Sequence, residues 1–225
     1  MATLPLPVKV YGPPLSPAVS RVLVCLLEKN VQFQLVPVNM AKGEHKTPDY
    51  LKIQPFGQVP AFQDDSISVF ESRAICRYVC DKYANQGNES MYSNNPLVKA
   101  SIEQWIESEA QNFNPPSSIL VFQLLFASRM GIKQDENVIK TNKEKLSKVL
   151  DVYEKRLSES PYLAGDEFTL ADLFHLPNTQ FLAGEDEMFS TTRKNVGRWW
   201  DEISSRESWK KVVEMQNQNF PAPKV

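Results

Sequence analysis

Two short stretches hold the residue types from which a site for a charged, extended peptide can be built. Gln54-Pro55-Phe56-Gly57-Gln58-Val59-Pro60 comes first, and Glu71-Ser72-Arg73-Ala74-Ile75 begins eleven residues after Pro60. A cis bond before proline costs only about 0.5–1 kcal/mol, so Val59-Pro60 is a place where one can be held. Such a turn aims the N–H and C=O of Val59 outward, where a peptide backbone can pair with them as an added strand. Glu71-Ser72 opens an apolar helical pattern, and the free N–H groups of a helix N-terminus attract a carboxylate. Strand-like pairing, an anion hole and an acid for an ammonium group are what a γ-glutamyl tripeptide requires.

The elements that must position these residues can be read from periodicity. Val8 to Tyr11 is expected as a strand and Pro17 to Lys29 as a helix with Val22, Leu23, Leu26 and Leu27 on its apolar positions. Phe33 to Val38 is a second strand, and a short helical turn is expected near Tyr50. Val59 to Gln63 and Ile67 to Phe70 form a hairpin turning at Asp64-Asp65, and Glu71 to Tyr83 closes the unit as a helix. The order β-α-β then β-β-α predicts an α/β unit of thioredoxin type with a mixed four-stranded sheet over residues 1–84. Asn85 to Asn95, rich in Asn and Ser, is a linker by composition. The remainder, 96–225, is expected to be an all-α domain: a long helical pattern from Pro96 to about Met130, broken or bent at Pro115-Pro116, then a helix through Leu146, Leu150 and Leu157. Thr169-Leu170-Ala171-Asp172 is a capping box, with Phe168 and Leu173 as its staple, opening a central helix. Two shorter helices are expected around Trp199-Trp200 and Trp209.

The 225 residues carry a formal charge of −2, which argues against nucleic acid. No run of 18 apolar residues is present to span a membrane. The opening Met-Ala-Thr-Leu-Pro-Leu-Pro lacks the charged and apolar regions of a secretion signal, so the cytosol is expected. Cys25, Cys76 and Cys80 are an odd set without framework spacing, read as buried, inert thiols rather than disulfides or half a metal site.

Gly43-Glu44-His45-Lys46, Pro55-Phe56-Gly57-Gln58-Val59-Pro60, Phe70-Glu71-Ser72-Arg73-Ala74-Ile75 and Leu163-Ala164-Gly165-Asp166-Glu167-Phe168-Thr169-Leu170-Ala171-Asp172-Leu173 occur in this order. Their order and spacing across two domains resemble a cytosolic glutathione transferase, most closely the plant phi class, from about Val8 to Lys211. The resemblance implies glutathione as co-substrate, no metal, a homodimer in which Phe56 plugs into the partner, and hydrophobic electrophiles as second substrates. It implies that His45 and Lys46 meet the glycine carboxylate, that Gln58, Val59 and Pro60 hold the tripeptide backbone, and that Glu71 and Ser72 take the γ-glutamyl end. Arg73 is expected to pair structurally and His175 to be a core histidine.

Conjugation needs the thiolate, whereas a cysteine thiol with pKa near 8.5 is mostly protonated at neutral pH. Ser16 follows the first strand and precedes Pro17, a residue favoured at the first helical position, so a hydroxyl and a helix N-terminus coincide there. The same placement suits a plain helix cap. Tyr11, where mammalian-type members place a catalytic tyrosine, is the rival, and Ser20, one turn into the helix, is expected to be structural. Serine in place of the glutaredoxin-type cysteine cannot form a mixed disulfide, which favours conjugation or organic hydroperoxide reduction. Pro14, Leu15, Phe122 and Phe126 are the candidates for the electrophile's apolar site between the domains. A non-catalytic carrier of flavonoids or other aromatic molecules is the alternative function. Asp64-Asp65 departs from the family's usual Asp-Gly, which bears on the turn's geometry because Asp tolerates positive φ less well than Gly.

Overall fold

The computed structural model describes residues 6–184, 187–189 and 192–219. Part of the short N-terminal extension, residues 1–5, and the last residues of the expected helical domain, 220–225, lie outside the described residues. The described residues fall into two compact units: one holds those up to Tyr92 and from Glu207 onward, and the other those within Ser93–Arg206.

In the first unit β1 (Val8–Tyr11) pairs in parallel with β2 (Phe33–Val36) and antiparallel with β3 (Ala61–Gln63), and β3 pairs antiparallel with β4 (Ser68–Phe70). The order β2-β1-β3-β4 is the expected mixed sheet. Val8 and Val10 are buried while Lys9 between them is exposed, the alternation of a pleated strand with one face on a core. Three strands are shorter than the pattern suggested, β4 by Ile67 alone. β2 stops before Pro37 and β3 starts after Pro60, because proline has no N–H to give the ladder.

Helix α1 (Pro17–Glu28) buries Val19, Val22, Leu23, Leu26 and Cys25, and packs against α3 (Ser72–Lys82). Each buried Leu or Val side chain contributes about 1.5–3 kcal/mol. Asn30, at φ 52°, ends α1 in a left-handed cap with Val31 N–H bonded to Leu26 C=O at 2.9 Å. All three cysteines are buried and unpaired between these helices, and burial pushes the Cys25 thiol well up from its ordinary value. Between β2 and β3 lie a 3-10 turn, Glu44–Lys46, and α2 (Pro48–Leu51), capped by Thr47.

The hairpin turn needs no positive φ at Asp64 or Asp65. Instead the Asp64 carboxylate accepts the N–H groups of Ser66 (2.7 Å) and Ile67 (3.0 Å) through Oδ1, and the Tyr78 hydroxyl and Lys82 ammonium, both at 2.6 Å, through Oδ2. Burial alone would raise this carboxyl, but those four donors hold it down at about 2.

The expected linker is half structure. Met91, in a 3-10 turn at Glu89–Met91, is fully buried, and Lys29 Nζ donates to Ala84 C=O (3.2 Å) and Asn88 C=O (3.0 Å). Residues 85–92 therefore belong with the first unit.

The second unit begins with an unbroken helical run: α4 (Pro96–Ser108), a π turn at Glu109–Phe113, α5 (Asn114–Val121), a second π turn at Phe122–Phe126, and α6 (Ala127–Arg129). Pro115-Pro116 does not break it. The π turn just before them widens the coil, and the prolines sit at the first positions of α5, where their missing N–H groups cost least. Helix α7 (Glu136–Leu157) buries Leu146, Leu150, Tyr153 and Leu157 on one stripe. The capping box is present: Thr169 Oγ accepts Ala171 N–H, and the Asp172 carboxylate accepts Thr169 N–H at 3.1 Å. Asp172 also accepts Leu163 N–H (3.0 Å) and Trp199 Nε1–H (2.9 Å). The helix it opens is central but divided into α8 (Leu170–Leu173) and α9 (Leu176–Leu182). His175, at the joint, is a fully buried core histidine as expected: Nδ1–H donates to Ala171 C=O (2.8 Å), leaving Nε2 to accept the Tyr153 hydroxyl (2.9 Å). Helix α10 (Lys194–Ser204) buries Trp199.

The last helix, α11 (Glu207–Asn219), corrects the expected boundary. It belongs to the first unit, packing on α1 with Trp209, Val212 and Gln216 buried at helical spacing. Ser208 donates to the Glu28 carboxylate.

Candidate active site

Ser16 occupies the N-cap position of α1, half-buried, with φ −66° and ψ 123°. Its backbone is committed: N–H to Pro13 C=O at 3.0 Å, and C=O from Ser20 N–H at 2.9 Å. Its hydroxyl makes no capping bond, and among the described residues it has no hydrogen-bond partner. The Tyr11 hydroxyl, by contrast, donates its one hydrogen to Gln63 Oε1 at 2.6 Å. Ser20, fully buried, donates to Pro14 C=O at 2.5 Å, a structural role as expected.

Gly12 brings the loop before Ser16 against the stretch of residues 54–60. At φ 134°, a Cβ on Gly12 would lie 2.7 Å from Val19 Cγ2 and 2.9 Å from Val59 Cβ, so only glycine allows the approach. The Val59-Pro60 bond is cis. Among the described residues no protein group bonds the N–H or C=O of Val59. Gln58 has an exposed side chain, and its carbonyl accepts the Tyr50 hydroxyl at 2.7 Å. Burial pushes that Tyr50 hydroxyl up to about 12, so it remains a donor.

The Glu44–Lys46 turn packs against the same stretch. Lys46 Nζ donates to Phe56 C=O at 3.0 Å, and a Cβ at Gly57 would meet His45 O at 2.7 Å. His45 Nδ1 is shielded from solvent with no protein partner among the described residues. Glu71, exposed at φ 69°, is one of two non-glycine residues with positive φ among the described residues, a conformation that stores strain and clusters at functional sites. It leaves the first N–H groups of α3 without a side-chain cap. Ser72 is buried, its Oγ accepting Arg21 Nη1–H at 2.9 Å, which ties the start of α3 to α1. These contacts draw Ser16, Val59, Pro60, His45, Lys46, Gln58 and Ser72 into one linked part of the first unit.

Of the apolar candidates, Pro14 lines a cavity of about 840 Å³ in the first unit, while Leu15 is half-buried and is not on its wall. Leu35, Pro37, Val38 and Met40 form more of that wall, and sequence reasoning missed them. The signal available was the apolar Pro37-Val38 and Met40 directly after a strand that proline ends. Phe122 and Phe126 lie in the second unit at the ends of a π turn, a feature frequent at functional sites. Phe122 is 38% exposed, whereas Phe126 is half-buried with its ring edge-on to Phe181 at 6.4 Å. Among the described residues no group of three or more His, Cys, Asp or Glu could hold a metal ion.

A thioredoxin-like unit whose open backbone lies at a cis proline, in one chain with an all-helical unit, defines the class of glutathione-dependent transferases. Comparison with known proteins agrees. The family descriptions "Glutathione S-transferase, N-terminal domain" and "Glutathione S-transferase, C-terminal domain" match residues 6–81 and 113–207. The chain is 48% identical to glutathione S-transferase F9 of Arabidopsis thaliana, over 95% of this chain and 99% of that one. The crystal structure of glutathione transferase F2 from Populus trichocarpa is 67% identical with a TM-score of 0.92, covering 94% of this chain and 100% of that one. Glutathione S-transferase I from maize, solved with an atrazine glutathione conjugate, is 37% identical with a TM-score of 0.87, over 96% and 100% of the two chains. The chain belongs to the glutathione transferases, within their phi class. It is an enzyme that joins glutathione to electrophiles.

Proposed function

We propose that Ser16 supplies the hydrogen bond that holds the glutathione sulfur as a thiolate. The observation that carries this reading is the uncommitted Ser16 hydroxyl at the N-terminus of the 12-residue helix α1. Lowering a thiol pKa by about two units takes about 2.7 kcal/mol of anion stabilisation. A hydrogen bond to a charged acceptor contributes about 1.5–3 kcal/mol, and a helix N-terminus about 0.3–1 kcal/mol more. Tyr11 is the weaker candidate because its hydrogen is already given to Gln63.

In this reading the Val59 N–H and C=O pair with the tripeptide backbone beside Gln58 and Pro60, and His45 and Lys46 face its glycine carboxylate. The orphan Nδ1 of His45 supports that role. The γ-glutamyl carboxylate takes the uncapped N-terminus of α3 at Ser72, and Glu71 takes its ammonium. Pro14 and Leu15 in the first unit, and Phe122 and Phe126 in the helical unit, are the apolar side chains proposed for the electrophile. The same thiolate can attack the O–O bond of an organic hydroperoxide, taking one oxygen as a sulfenic acid and, with a proton, releasing the alcohol. A second glutathione then forms the disulfide and water. The enzyme would act in the cytosol as a homodimer: the unpaired cysteines suit a reducing compartment, and Phe56, 65% exposed, is an aromatic key available to a second copy.

The test is ultraviolet titration of the thiolate of bound glutathione in wild type, Ser16→Ala and Tyr11→Phe. Ser16→Ala alone is expected to raise the thiol pKa by about one unit or more, tenfold in thiolate per unit, with glutathione still bound. An unchanged pKa in Ser16→Ala sinks the serine mechanism.

A further inference from the structure

The buried face of α11 carries one polar side chain aimed at the loop that presents Ser16. Gln216 is only 5% exposed, and its Nε2 donates to Ser20 Oγ at 2.8 Å and to Pro14 C=O at 3.3 Å. The Ser20 hydroxyl passes its own hydrogen to the same carbonyl at 2.5 Å. An amide NH₂ has two hydrogens and a carbonyl two lone pairs, so the three groups close a ring of bonds in which each donation is available.

Gln216 follows Trp209 and Val212 on that face, where an apolar residue would be the ordinary choice. A buried amide is costly unless bonded, and bonds away from water are stronger for it. The acceptor is informative as well. Pro14 lies two residues before Ser16, and the plane of the Pro14–Leu15 peptide sets the direction in which the chain enters the N-cap. Ser20 fixes that carbonyl from within α1, and Gln216 fixes it from a helix 202 residues away in sequence. Hydroxyl placement within a fraction of an ångström governs a hydrogen bond to sulfur.

We propose that Gln216 is a positioning residue for the reaction, holding the Pro14 carbonyl through paired bonds with Ser20 so that the Ser16 hydroxyl stays aimed at the glutathione sulfur. The inference rests on the serine reading above.

The experiment compares wild type, Gln216→Met, Ser16→Ala and the double variant by thiolate titration of bound glutathione, steady-state kinetics with a chloro-nitroarene and thermal melting. Gln216→Met fills the same space without donors. It is expected to raise the thiol pKa by about half a unit to one unit and to lower kcat at neutral pH about three- to tenfold, with KM for glutathione within about twofold. In the Ser16→Ala background the substitution is expected to add no further pKa shift, because a residue that acts through Ser16 has nothing left to act on. If Ser16→Ala raises the pKa and Gln216→Met does not, the positioning role is overturned while the serine mechanism stands. If the two shifts add, Gln216 acts elsewhere and the proposal also fails. If Ser16→Ala leaves the pKa unchanged, the serine reading fails and takes this one with it. Should Gln216→Met not fold, Ser20→Ala removes the shared hydroxyl and carries the same expectations.

Discussion

Gly12 shows how much of the site depends on a missing atom. Its φ of 134° is closed to L side chains, and a Cβ there would stand 2.7 Å from Val19 and 2.9 Å from Val59. Gly12→Ala is expected to cost about 3 kcal/mol or more, combining backbone strain with overpacking. The urea midpoint would fall, and glutathione would bind more weakly because Val59 is displaced. A variant within about 1 kcal/mol of wild type by urea unfolding would show the loop can yield, contrary to this account. Ser16, Val59 and Ser72 could be picked from the sequence because each sits beside a proline or at the start of a periodic segment. Gly12 could not, since nothing local marks a glycine that a distant valine must touch. Ser16 was preferred to Tyr11 from the sequence, on the motifs around it; what the sequence did not carry is the bond that occupies the Tyr11 hydroxyl, which goes to Gln63 on another strand.

Among the elements, one carboxylate carries the hydrogen bonds described above from the β3–β4 hairpin to α3, beside the edge-on packing of Phe62 on Tyr78. Asp64, held at about 2 against an ordinary 3.8, has a depressed folded pKa, so its contribution to stability is present above about pH 4 and is lost as the pH falls toward 2. Asp64→Asn is expected to lower stability at neutral pH and to flatten the acid limb between pH 4 and 2, read as urea midpoints across that range. An acid limb as steep as that of wild type would assign the loss to other carboxylates. The hairpin and its turning residues were legible from the two flanking apolar runs, but the use of Asp64 as turn closure and anchor was not, since Tyr78 and Lys82 lie a helix away. The capping box was legible because its two partners are three residues apart. The two π turns were not, because over a single turn the apolar spacing of a π and an α segment reads alike, and Pro115-Pro116 pointed to a break or bend but not to the widened coil just before them.

At the scale of the whole molecule, the sheet, its helices and the helical unit follow the order that the periodicity predicted, with one exception. An amphipathic pattern announces that α11 buries a stripe but not what it is buried against, so sequence alone left it with the helices preceding it. Its place on α1 makes Trp209 a residue of the thioredoxin-like unit. Trp209→Ala is expected to destabilise the protein by about 3–5 kcal/mol, with the melting temperature partly restored by saturating glutathione, which binds only the folded form. A large loss of stability with no recovery, in a variant that still binds glutathione, would place the damage outside that unit. The return of α11 also sets an order of events in the making of the protein. Ser208 meets Glu28 across 180 residues, which at roughly 5–20 residues per second take on the order of 10–40 s to synthesise. Through that interval the apolar flank of α1 is emerging chain without its cover, a surface that a chaperone must shield or that other nascent chains can find. The thioredoxin-like unit begins to leave the ribosome ahead of the helical unit and is closed only after it.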